Sequence, residues 1–178
     1  MMTLAPEISR IETASVSDLF KEAFGAQPAG VSIITALDAE GNPVGITASS
    51  VNSVSAEPPI VSFSLKGNSG SAAQLLKADT FLIHLLSAEN IQLAKNFATS
   101  GCPRFADLST WETLPTGEPL LEGVGRVLRA RFHDKIEAGP AILLTAEVLN
   151  FIRHDTSGAP VVYHARKFHA LGEHSEVN

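Results

Sequence analysis

The stretch "VGITASSVNSVSAEPPIVSFSL", residues 44–65, decides how the chain is read. Its second half, Pro59 to Leu65, alternates apolar and polar side chains with the period of a half-buried β-strand. Its first half also reads as a strand. Yet that half crowds five hydroxyl side chains (Thr47, Ser49, Ser50, Ser53 and Ser55) and two alanines into positions where bulky residues normally pack. A Ser/Thr-rich edge strand facing water is one explanation. A strand kept slim so that a ligand can approach its backbone is the other.

Upstream, "GVSIITAL" is a β-branched strand, and "DAEGN" is a turn that makes it a hairpin partner of the opening stretch. Before it, "SVSDLFKEAFGAQ" places Leu19, Phe20, Ala23 and Phe24 on one helical face, with Ser15 or Ser17 as N-cap and Gly25 as a stop. Downstream, residues 69–78 read as a short helix with Ala72, Leu75 and Leu76 inward, and "TFLIHLL" (80–86) as a strand buried on both faces. Ser87 caps a helix running to about Ala98, and 99–118 reads as a loop holding Cys102, Arg104, Phe105 and Trp111. Two long strands, 122–133 and 141–152, and a short one in "PVVYHA" complete the chain. Strands outnumber helices, and their antiparallel spacing predicts a mainly β protein, a small barrel with helices packed outside it. The division expected is a loose arm over 1–15, a single domain over 16–170 and a tail over 171–178.

Composition narrows the function classes. At 178 residues the chain is most simply one domain, and 44% hydrophobic against 18% charged residues is a globular balance. A net charge of −6 gives no general attraction for nucleic acid or an anionic membrane. Cys102 stands alone, which excludes an internal disulfide and any multi-cysteine metal site, and a cytoplasmic location is expected. The N-terminal residues lack the pattern of a signal peptide, and no apolar run approaches the ~20 residues of a membrane span. The histidines lack metal-ligand spacing, so no metal is expected, and "EGVGRVL" lacks the third glycine of a dinucleotide fingerprint. Its Arg126, with Arg129 and Arg131, reads as solvated or ion-paired.

Gly45-Ile46-Thr47-Ala48-Ser49-Ser50, then Val54-Ser55, Pro58-Pro59 and Val61-Ser62-Phe63, form a long and specific set. Gly30-Val31, Ser69, Leu93-Ala94 through Phe97-Ala98, and Tyr163-His164-Ala165-Arg166-Lys167-Phe168 support it. On these residues, from about Leu19 to Phe168, the chain resembles the flavin reductase family, to which the reductase components of two-component flavin monooxygenases belong. The resemblance implies the FMN-binding split β-barrel, Greek-key-like in its connections, and FMN or FAD as cofactor with NADH or NADPH as reductant. It implies a homodimer and an oxygenase component as partner; Trp111 and Phe105 in a polar loop are also expected to meet a second copy.

It further implies which residues meet the flavin. Gly45, Ile46, Thr47, Ala48, Ser49 and Ser50 would bring backbone N–H donors and small hydroxyls to the ring edge and ribityl chain. Ser64, Leu65, Lys66, Ser69 and Ser71 would surround the phosphate near a helix start, although an ordinary Gly/Ser turn with a helix cap would read the same. Phe97 and Ala98 would cover the flavin, with Phe97 equally credible as core because it repeats Leu93 at i+4. Ala141, Tyr163 and Arg166 fall on the nicotinamide side.

The sequence departs from the family there. Family members carry Gly-Asp-His before the penultimate long strand, where this chain reads Gly139-Pro140-Ala141. Pro140 has no N–H to donate, and Ala141 can neither donate through its side chain nor stack. His84 stands where many members have Asn, and a lone histidine in an apolar strand reads first as a satisfied core residue. Two functions are therefore weighed. The first is an NAD(P)H:flavin oxidoreductase supplying reduced flavin to a monooxygenase; the second is a flavin-binding electron carrier or store that has lost its nicotinamide site.

Overall fold

The computed structural model describes residues 15–66, 70–155 and 158–177, so the expected N-terminal arm up to residue 14 lies outside the described residues. Twelve strands are numbered in chain order: β1 (Ala29–Gly30), β2 (Ser32–Leu37), β3 (Pro43–Ala48), β4 (Asn52–Ala56), β5 (Pro59–Lys66), β6 (Phe81–Leu85), β7 (Trp111–Thr113), β8 (Pro119–Leu121), β9 (Arg126–Ala138), β10 (Ala141–Arg153), β11 (Val161–His164) and β12 (Lys167–Ala170). The helices are α1 (Val16–Ala26), α2 (Gly70–Leu75) and α3 (Ile91–Ala98).

Seven of these strands form one antiparallel sheet in the order β3-β2-β6-β9-β10-β5-β4. The β9–β10 hairpin is its spine. One part of it, Arg126–Ala130, pairs with β6, and the opposite part, Ala141–Glu147, pairs with β5. Register shifts at Thr145/Ala146 and Val148/Asn150 bend this ribbon, as bulges do, and the sheet curls around one apolar interior. The sheet does not close: β3 and β4 are its two edges and share no ladder. This is the expected mainly β class, a barrel left split.

Period-two alternation places the core. On β5, Val61, Phe63 and Leu65 are buried while Ser64 and Lys66 face out. On β2 and β6 both faces are buried, which is why those stretches read as continuous apolar runs. Ile34, Ala36, Phe81 and Ile83 look inward with Phe63, Leu65 and Leu144, and Leu75 of α2 closes that cluster. Phe63, Phe81 and Phe132 stack across the interior, with ring centroids 5.8 Å and 4.5 Å apart along the chain of contacts. Ile33 and Leu82 look outward into a second cluster with Phe97 of α3, Leu120, Leu121 and Val127.

Several expectations are corrected. Residues 44–65 form three strands, because the chain leaves the sheet at Ser49–Val51 and re-enters as edge strand β4. The 99–118 segment is not wholly a loop, since β7 pairs with β8. Phe105 and Trp111 in it are half-buried and meet edge to face at 5.3 Å, and Phe105 meets Phe97 the same way, so both rings pack in part against the fold's own outer cluster. β9 begins at Arg126, after a turn over 122–125, and runs on to Ala138. β12 follows β11 through a turn with positive φ at Ala165 and Arg166.

α1 starts at Ser15, whose hydroxyl accepts from the Asp18 N–H at 3.2 Å. It runs one residue past Gly25. Its Phe20 and Phe24 stack on each other but stay 60% and 59% exposed, so among the described residues nothing covers this apolar face.

Candidate functional site

β3 carries Gly45, Ile46, Thr47 and Ala48 of the expected flavin residues, and its two faces do different work. Ile46 and Ala48 point into the barrel core. Gly45 and Thr47 point outward to α3. A Cβ on Gly45 would lie 2.5 Å from Phe97 Cε1 and 3.2 Å from the Ile34 carbonyl oxygen, so only glycine lets the helix dock this closely. The Thr47 hydroxyl donates to the Ala94 carbonyl at 2.8 Å and fixes the helix in place. Small residues on this strand thus first answer a packing demand.

Past Ala48 the outward row continues into open space. Ser49 is exposed and lines a cleft of ≈ 380 Å³ with Thr47, Val31, Lys95, Ala98, Thr99, Tyr163 and Phe168. Lys95, Ala98 and Thr99 reach it together because positions i, i+3 and i+4 share one side of a helix. Tyr163 and Phe168, neighbours across β11 and β12 at 5.0 Å between rings, form the aromatic wall. Ser50 turns the other way. Its hydroxyl oxygen accepts from the Ser64 N–H at 3.0 Å and ties the end of β3 to β5.

The expected flavin and nicotinamide residues therefore fall into groups. Thr47, Ser49, Ala98 and Tyr163 share the cleft. Gly45 and Ser71 meet through Arg104, whose Nη1 donates to the Gly45 carbonyl at 2.9 Å and to Ser71 Oγ at 2.8 Å. Ser50 and Ser64 form a third group, while Lys66 pairs in register with Ala141 at the start of β10. Leu65 and Phe97 turn their side chains into the core, at 2% and 1% exposure, so neither side chain covers a cleft. Arg166 sits exposed at the β11–β12 turn and does not line the cleft. Ser69 lies outside the described residues. Lys95, Thr99 and Phe168 also line the cleft without having been expected there, although helical spacing, i−3 from Ala98 to Lys95 and then i+4 to Thr99, could have found the first two.

His84 is sealed in the outer cluster. Its Nε2 accepts from the Leu121 N–H at 3.0 Å, which leaves Nδ1–H to donate to the Ile33 carbonyl at 3.2 Å. Burial pushes its pKa down to about 4, only partly opposed by the Ile33 contact, so the ring stays neutral. It is a satisfied core residue.

Gly139 and Pro140 form the two-residue tip of the β9–β10 hairpin. Gly139 has φ +61°, the left-handed conformation such a tip requires at its first position. Proline tolerates the second position because no ladder bond is asked of its nitrogen. A larger concavity of ≈ 440 Å³ lies at the end of the sheet, lined in part by Ser32, Arg126, Arg153 and His154; it contains none of the expected site residues. No helix is long and apolar enough to cross a membrane, and no group of metal-ligating side chains gathers among the described residues.

Comparisons with known proteins agree with this arrangement. The family profile described as a flavin reductase like domain matches residues 24–172. An NADH:FMN oxidoreductase of Rhodococcus qingshengii is 38% identical over 167 residues, 92% of this chain and 85% of that protein. An NADH:riboflavin 5′-phosphate oxidoreductase of Streptomyces pristinaespiralis is 32% identical over 152 residues, 84% of this chain and 85% of that one. Among solved structures, a flavin reductase domain protein from Arthrobacter sp. FB24 superposes with a TM-score of 0.81 at 30% identity, covering 88% of this chain and 96% of that chain.

Proposed function

The chain belongs to the flavin reductase family, and we propose that it works as an NADH-dependent oxidoreductase acting on FMN. The observation that carries this reading is the outward row of β3, where Gly45 and Thr47 seat α3 and Ser49 is left free at the cleft. The cleft fits a flavin in chemistry and size: an aromatic wall, small hydroxyls, exposed strand backbone and one lysine, in a volume typical of ligand pockets. Ser49, the strand backbone beside it, Ala98 and Thr99 would hold the flavin, and Tyr163 with Phe168 would shelter its ring system. When bound, the flavin supplies the redox chemistry by accepting a hydride from the reduced nicotinamide. The protein's part is to orient the two planar partners and limit water between them.

The relatives' names support NADH over NADPH and FMN over FAD. The reduced flavin would pass to a separate oxygenase. A homodimer is part of the same proposal: Phe20 and Phe24 on α1, Val54 on β4 and Leu143, Leu149 and Phe151 on β10 are apolar and exposed, and a second copy would cover them. Sedimentation at micromolar concentration tests this, and a monomer mass refutes it. The hairpin tip at Gly139-Pro140-Ala141 favours a second reading, a flavin carrier without nicotinamide turnover. Steady-state NADH oxidation with added FMN separates the two. Turnover that requires flavin supports the reductase, and flavin binding without turnover supports the carrier.

A further inference from the structure

The mouth of the split barrel holds a second cavity with two unpaired positive charges. Ser32, Leu85, Arg126 and Arg153 stand in one register row across β2, β6, β9 and β10. Two residues along the same face, Ile34, Ile83 and Leu128 belong to the interior cluster, so this row faces inward at the barrel's end. All four line the ≈ 440 Å³ concavity. The row also sets Arg126 directly opposite Arg153, a placement of like charges that weakens a sheet unless something answers it. Among the described residues the ion pairs involve Lys21, Arg129, Arg131 and His133, and neither Arg126 nor Arg153. Asp155 shares the cavity but pairs with neither arginine. Another wall is held in place by backbone contacts. The Ala88 N–H donates to the Ala159 carbonyl at 2.8 Å, Pro160 bridges to Ser87, and a Cβ on Gly158 would collide with Ser87 Oγ.

Two guanidinium forks side by side match the oxygens of a phosphate or carboxylate, since each can donate a pair of parallel hydrogen bonds. Val51, Leu85 and Val161 offer apolar surface beside them for the body of a ligand. We propose that the barrel mouth is a second ligand site, apart from the flavin cleft, which takes a small organic anion with its phosphate or carboxylate head at Arg126 and Arg153. The inference stands without the flavin reading, because the cavity contains none of the residues that would hold flavin. Val31 lines both this cavity and the cleft, so two sources share the chemistry: a free metabolite, or the diphosphate of a nicotinamide nucleotide reaching across from the cleft.

Calorimetric titration with inorganic pyrophosphate, in a phosphate-free buffer of low ionic strength, tests the proposal. Saturable binding is expected. Arg126→Gln and Arg153→Gln should each weaken it by about tenfold or more, because a hydrogen bond between charged groups is lost. Asp155→Asn should tighten it, since Asp155 is the carboxylate that lines the cavity. Arg131→Gln controls for overall charge: Arg131 pairs with Glu147 outside the cavity, and its loss should leave affinity within about twofold. No saturable binding by the unmodified protein overturns the proposal, and a mouth sealed by a second copy would give that result. Undiminished binding in both cavity variants, or equal weakening by Arg131→Gln, overturns it too. Steady-state kinetics separates the sources. Pyrophosphate that competes with NADH assigns the head to the reductant; pyrophosphate that binds without changing KM for NADH assigns it to a separate metabolite. Titration of the same protein with FMN keeps the two readings apart, because pyrophosphate binding lost in the arginine variants supports this site whether or not flavin binds.

Discussion

Gly45→Ala is the sharpest probe of how the cleft is built. The new methyl would sit 2.5 Å from Phe97 Cε1, 3.0 Å from Cδ1 and 3.2 Å from the Ile34 carbonyl oxygen. Phe97 cannot swing aside, because it is 1% exposed and packed edge to face on Phe105. α3 must therefore lift off β3. Overpacking of this kind costs about 1–3 kcal/mol, and a backbone oxygen on one side puts this site toward the upper end. In a chain of this length the loss corresponds to a fall in Tm of roughly 4–10 °C. Urea unfolding should show a lower midpoint at unchanged slope. Adding Phe97→Leu should recover part of the loss, giving a coupling of about 1 kcal/mol or more in a double-mutant cycle. Flavin affinity should fall as well, because Lys95, Ala98 and Thr99 move with the helix. Strictly additive losses, or a Gly45→Ala protein as stable as the parent, would refute the reasoning.

Four further outcomes are expected. Ser49→Leu should weaken FMN by about tenfold to a hundredfold, since its hydroxyl serves the cleft, while the midpoint of unfolding barely moves; Thr47→Val should instead lower stability by about 1 kcal/mol through its lost bond to Ala94. His84 is about 4 when folded against 6.5 as its ordinary value, so its contribution is complete above pH 6.5 and is lost as the pH falls toward 4. By linkage that is roughly 3 kcal/mol, and His84→Asn should flatten this part of the stability profile; a variant with the same pH dependence as the parent would contradict the assignment. Pro140→Asp with Ala141→His should raise kcat/KM for NADH by about tenfold if one contact to the nicotinamide is regained, with FMN affinity unmoved; unchanged turnover means an imidazole is not what the site lacks.

Much of this arrangement was legible in the residues, and the parts that were not have physical reasons. The β2–β3 hairpin and the doubly buried β6 announce themselves through β-branched runs and a Gly-Asn turn. His84 reads correctly as core because its neighbours are all apolar. The break between β3 and β4 was hidden, since Ser49-Ser50-Val51 contains neither glycine nor proline, and the Ser50 side chain does there what a turn residue does elsewhere. The far part of β9 is polar and exposed, so its extension to Ala138 has no period to follow. β7 and β8 are too short for alternation to show. Along β3 the hydroxyl row reads as one feature in the sequence, whereas the structure gives it two roles, helix docking at Gly45 and Thr47 and an open surface at Ser49. Arg104 gave no signal at all: it sits in an irregular segment, and only the folded chain brings it to Gly45, Ser71 and Thr99.

The central claim is that the cleft beside Ser49 holds a flavin that takes hydride from NADH. Rapid anaerobic mixing of the FMN-loaded protein with NADH tests it directly, by following the visible absorption of the oxidised flavin. The account predicts that this band bleaches in a single turnover, at a rate that rises with NADH concentration and saturates. A band that persists under excess NADH, on protein shown to have bound FMN, would contradict it.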